Sequence, residues 1–194
     1  MTMIRAVLAT FALGILTGCA HPILITPELQ SLDRTQVKPI DKKVGYYISQ
    51  ADRDLKVTTP GGGGDKVAYY PYKELEPALQ KVLNNVFQGI ERVQSPNDAA
   101  YLKQHGISYV FVPTIKTDSS SSGMLTWMPT KFTVDLTCKA YDDAGAQIWT
   151  HQFSGTGEAV FSELKSDFSL AAKRASQKAF QELQGAVNNA AEFH

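Results

Sequence analysis

The sequence predicts an α+β domain, a mostly antiparallel sheet with helices packed on one face as a two-layer sandwich. Three patterns carry that expectation. Apolar residues recur three and four apart over residues 75–93 and again over residues 168–187, the spacing of two amphipathic helices. Phe132, Val134, Leu136, Cys138 and Ala140 alternate with polar residues, then Asp142, Asp143, Ala144 and Gly145 turn the chain into a second strand over residues 147–153. A short helical stretch feeds residues 107–115, the most apolar run after the N-terminus and therefore a central strand. With 194 residues, 43% of them apolar and 20% charged, one globular domain is the natural outcome.

Residues 1–18 read as a targeting signal. Arg5 precedes an uncharged apolar run over residues 6–18, thirteen residues long, whereas a helix needs roughly 20 to cross the hydrocarbon core. The run ends in Leu16, Thr17, Gly18 and Cys19. This quartet resembles the lipobox of bacterial lipoproteins. The resemblance implies recognition of Leu16, Thr17 and Gly18 by a signal peptidase, diacylglycerol and palmitate chains on Cys19, and a mature protein that begins there. Ala20, where that family's sorting rule places Asp for the inner membrane, implies the periplasmic face of the outer membrane. Cleavage leaves 18 basic and 19 acidic side chains, a charge of −1. So balanced a chain has no electrostatic footprint for nucleic acid.

Residues 19–43 contain Pro22, Pro27 and Pro39 and no sustained period, and read as a lipidated tether with a flexible reach of about 25 Å. The folded domain is expected over residues 44–192. Its first strand is residues 44–49, and residues 55–59 and 66–70 are two more, joined through Pro60 and four glycines. The first long helix follows, with Pro77 near its start. Ser95, Pro96 and Asp98 announce the short helix and Gly106 ends it. The last helix covers residues 167–191. With Cys19 acylated, Cys138 has no partner and should be a buried free thiol. The unit over residues 98–115 resembles small periplasmic lipoproteins of the YajG-like, penicillin-binding-protein-activator and transport-auxiliary groups, a likeness of hydrophobic pattern covering about a third of the mature chain.

Catalytic chemistry finds little support. His21, His105, His151 and His194 form no zinc or nucleophile pattern, and no cofactor motif is present. Asp142 and Asp143 are a turn. The run of glycines at 61–64 lacks the Lys-Ser/Thr pair of a phosphate loop, because Asp65 intervenes and Val67 follows Lys66. Tyr69, Tyr70 and Tyr72 read either as the wall of a groove or as sheet packing. The segment expected to act is a serine run followed by Met124, Leu125, Trp127 and Met128, side chains suited to adaptable contacts with a partner. The alternative is that they fold back over the sheet. The resulting expectation is a non-enzymatic, membrane-anchored envelope accessory or assembly factor that binds another protein. The alternative is a lipid-anchored carrier or sensor holding a small apolar ligand between helix and sheet.

Overall fold

The computed structural model describes residues 20–33, 38–61, 65–121 and 128–194. In chain order these form β1 (Ala20–Pro22), a 3-10 turn (Leu29–Leu32), β2 (Ile40–Tyr46), α1 (Gln50–Arg53), β3 (Val57–Pro60), β4 (Lys66–Tyr69) and α2 (Pro71–Val86). Then come β5 (Phe87–Arg92), α3 (Ala99–Gln104), β6 (Ile107–Ser120), β7 (Lys131–Asp142), β8 (Gln147–Glu158), α4 (Phe161–Leu164), α5 (Leu170–Asn189) and a 3-10 turn (Ala191–Phe193). The fold is α+β, with two mixed sheets.

The larger sheet has the order β5-β2-β6-β7-β8. Its long pairings are antiparallel, from Tyr109 opposite Asp142 to Ser120 opposite Lys131, and on to Glu158 opposite Lys131. Two shorter pairings are parallel, β2 with β5 and β2 with β6. The alternation that marks β7 is visible in burial: Phe132, Val134, Leu136, Cys138 and Ala140 are all fully buried. Helices α2 and α5 lie together on this face and close the main core. The opposite face is partly covered by α3, over a smaller cluster of Val93, Leu102, Ile107 and Val110.

Where α5 crosses β8 the contact is between backbones. A Cβ on Gly155 would stand 2.1 Å from the Ala175 carbonyl oxygen, and one on Gly157 2.1 Å from that of Ala171. Ala171, Ala175 and Ala179 present the small face that permits this approach. Burial pushes the Cys138 thiol up to about 12. Both access and thiolate formation are therefore suppressed, and a water-soluble maleimide is expected to label Cys138 only at the rate of unfolding. Labelling of native protein as fast as a free cysteine would contradict this placement.

Three sequence expectations change. Residues 20–33 are not tether: β1 pairs in parallel with β4, and Ile23, Ile25 and Leu32 are in the core. Pro22 ends β1 on its exposed side, and Pro27 is itself buried between Ile25 and Leu32, so neither interrupts the inward-facing residues. The long helix stops at Val86, and Phe87–Arg92 becomes an edge strand, because Phe87, Ile90 and Val93 fit a three-four spacing without requiring it. The cap of α3 is Asp98, whose Oδ1 accepts the Tyr101 N–H at 3.0 Å, while Ser95 Oγ accepts from Asn97. Gly106, at φ +64°, ends that helix as expected.

Candidate functional site: the end that carries Ala20

The small sheet, order β1-β4-β3, determines where the N-terminus leaves the body. Ala20 faces Lys66, and Lys66 faces Pro60. The Pro60 carbonyl accepts from Ser119 Oγ at 2.8 Å, and Thr59 Oγ1 lies 2.6 Å from the same hydroxyl. Ser120, Lys131 and Glu158 continue the row across the large sheet. This row of contacts puts Ala20 and the end of β8 on one end of the molecule.

This end is closed by the segment between β8 and α5. Arg174 donates to the Glu158 carbonyl at 2.7 Å and to Glu163 Oε1 at 2.8 Å, while Glu163 Oε2 accepts the Val160 N–H at 3.1 Å. Arg174, and the Val160 N–H after it, hold the Glu163 carboxyl down at about 2. The turn is therefore pinned on its polar side, and Val160 and Phe161 are left 61% and 51% exposed. The Lys165 ammonium lies 5.5 Å from the Phe161 ring centre. Phe168 is 48% exposed beside Ser169, whose Oγ accepts the Leu24 N–H at 3.0 Å. A surface cleft here is lined by Ser120, Lys131, Glu158, Val160, Phe161 and Arg174.

Of the expected contact residues, Met128 is buried, 6% exposed and part of the main core, so it is corrected from contact surface to packing. Met124, Leu125 and Trp127 lie outside the described residues, as do Leu16, Thr17, Gly18 and Cys19. The tyrosines form no groove. Tyr69 and Tyr72 are buried, Tyr69 donates to Thr117 Oγ1 at 2.9 Å, and Tyr72 Oη accepts the Ile115 N–H at 3.1 Å. Burial raises both phenols above their ordinary value.

The histidines are dispersed. His21 lies 3.5 Å from Asp65, His151 stacks on Trp149 at 4.9 Å, and His194 Nε2 meets the Asn188 carbonyl at 3.0 Å. His105 joins the densest polar cluster, on β5 and α3: its Nδ1 is 3.0 Å from Glu91, which also meets Lys43 at 2.7 Å and accepts from Tyr101. Lys43, with Tyr101 after it, pulls the Glu91 carboxyl down to about 2. This cluster ties α3 to the sheet edge. Among the described residues no group of three His, Cys, Asp or Glu side chains could hold a metal ion.

Sequence reasoning passed over Leu24, Val160 and Phe161, and it counted Phe168 on the apolar face of the last helix, whereas Phe168 precedes α5 and is half exposed. Val160 and Phe161 carry a local signal, two large apolar residues directly ahead of Glu163 in a helix-start pattern.

No protein-family model and no curated protein matches the chain. Among solved structures, two crystal forms of the PelC dodecamer from Paraburkholderia phytofirmans align at 14% identity. One, a leucine-to-methionine variant, covers 74% of this chain and 93% of that one at a TM-score of 0.39. The other covers 75% and 94% at 0.38. A Caulobacter crescentus CB15 structure provisionally described as a lipoprotein aligns at 12% identity, covering 50% of this chain and 85% of that one, with a TM-score of 0.30. Similarity at this level carries no function across.

Proposed function

We propose that the chain is a lipid-anchored protein of the bacterial envelope, acylated at Cys19 and held on the periplasmic face of the outer membrane, where it acts without catalysis as an accessory or assembly factor for another envelope protein. The observation that carries this reading is the sequence Leu16-Thr17-Gly18-Cys19 at the end of a short apolar run, followed at once by a folded strand at Ala20. Against the carrier alternative stands the backbone-distance approach of α5 to β8 at Gly155 and Gly157, which fills that part of the helix–sheet interface.

The test is Cys19→Ser. The variant is expected to lose metabolic labelling by palmitate and to leave the outer-membrane fraction, either as uncleaved precursor or as free periplasmic protein. Fractionation of the variant with the outer membrane at the unsubstituted level would sink the reading. Crosslinking in intact envelopes identifies the protein partner.

A further inference from the structure

We infer that the end of the domain carrying Ala20 lies directly on the bilayer that holds its own acyl chains, with Val160, Phe161 and Phe168 seated at the level of the lipid headgroups. The inference rests on acylation of Cys19 and names what the anchored end touches. A free tether over residues 19–43 would let the domain stand off by about 25 Å. The structure removes that freedom, since β1 starts at the residue after Cys19 and is paired with β4 along its whole length. One Cα–Cα step of about 3.8 Å is all that separates the paired strand from the acylated residue. Ala20 therefore stays at the headgroup region while the chains are inserted, and the apolar residues on the same end are what can settle beside it.

What that end displays suits the position. Seven large apolar side chains are more than a third exposed among the described residues, and four of them, Leu24, Val160, Phe161 and Phe168, are on or beside the segment that closes it. Phe161 and Val160 cannot withdraw, because Glu163 and Arg174 fix the turn beneath them. Of the charges nearby, Glu163 is paired with Arg174 and Asp167 with Lys173, while Lys66, Lys131 and Lys165 are exposed and form no ion pair among the described residues. The surface offers apolar contact from Val160, Phe161 and Phe168, with Lys66, Lys131 and Lys165 placed to meet anionic headgroups. An aromatic ring with a lysine beside it is a combination suited to the water–hydrocarbon boundary.

The experiment uses the full acylated protein in vesicles of phosphatidylethanolamine and phosphatidylglycerol. Phe161→Cys, Val160→Cys and Ala144→Cys are each labelled with an environment-sensitive fluorophore, and lipids carrying a headgroup-level nitroxide are added. Ala144 is in the β7–β8 turn, at the other end of a strand about 36 Å long. The buried Cys138 stays unlabelled, and an acylated Cys19 has no thiol to label. Strong quenching at positions 160 and 161 with none at 144 is the expected result. Co-flotation with the vesicles but no quenching at 160 or 161 overturns the surface and leaves the anchor standing. Blue-shifted emission without quenching also overturns it, and shows that a protein or a second copy covers this end. Failure to float, with fluorophore on Cys19, brings down anchor and surface together. Two labelled positions, each checked by its melting curve, keep the result independent of one misfolded variant.

Discussion

Gly155→Val is expected to cost at least about 3 kcal/mol, at or above the upper end of the usual overpacking penalty. The atoms in the way are backbone, the Ala175 carbonyl oxygen at 2.1 Å and the Ala179 nitrogen at 2.7 Å from a Cβ at this position, and no rotamer can move them aside. Either α5 lifts off β8 or β8 bends, and both open the core that Val134, Leu136 and Leu183 fill. For a domain of this size the loss corresponds to a fall in Tm of roughly 6–12 °C. Gly185→Ala supplies the opposite sign from the same helix: nothing lies within 4 Å of its added methyl, and relief of backbone entropy should stabilise by about 0.5–1 kcal/mol. Equal effects from the two substitutions would refute the close helix–sheet contact.

Phe193→Ala is expected to cost about 3–5 kcal/mol, although the residue is one from the C-terminus. Its ring is fully buried and meets Phe111 at 5.3 Å, Tyr109 at 5.3 Å, Trp149 at 5.6 Å and Phe87 at 5.8 Å, centre to centre. The last turn is thus a plug at the end of the large sheet opposite Ala20, and urea denaturation should show a lower midpoint with an unchanged slope. A change under about 1 kcal/mol would mean that the C-terminal turn frays in solution. Removing the residues after Ala190 should match the substitution in effect.

Elements that carry their own periodicity were legible in the sequence. The β7–β8 hairpin, the α5 stripe of Ala172, Ala175, Ala179 and Leu183, and the run through Phe111 each bury one face, and alternation or three-four spacing reports that face directly. What escaped was decided by distant partners. Phe87–Arg92 is a strand because β2 offers it an edge, and Ile23, Ile25 and Leu32 are core because the chain between them is pinned. Glu74 accepts the Ile25 N–H at 2.8 Å, Thr26 Oγ1 donates to the Glu74 carbonyl at 2.8 Å, and Asn85 donates to the Leu32 carbonyl. Proline-based punctuation reads such a segment as a linker because no local signal distinguishes a loose strand from a bound one. At the end that carries Ala20, Val160 and Phe161 owe their exposure to Arg174, a residue on another element.

The bonds that hold the N-terminal segment also impose an order of events. Leu24 is bound by Ser169, Ser31 by Gln181 at 3.1 Å and Asp33 by Gln184 at 3.2 Å, partners 145 to 151 positions later in the chain. A chain that emerges N-terminus first has residues 20–33 exposed long before α5 exists, and β1 has nothing to pair with until residues 66–68 emerge. If Cys19 is acylated as proposed, the modification comes before this segment closes. Contacts so distant in sequence are slow to form. Only when the final helix arrives does the segment over residues 20–33 close, so this wall is among the last parts of the domain to be completed.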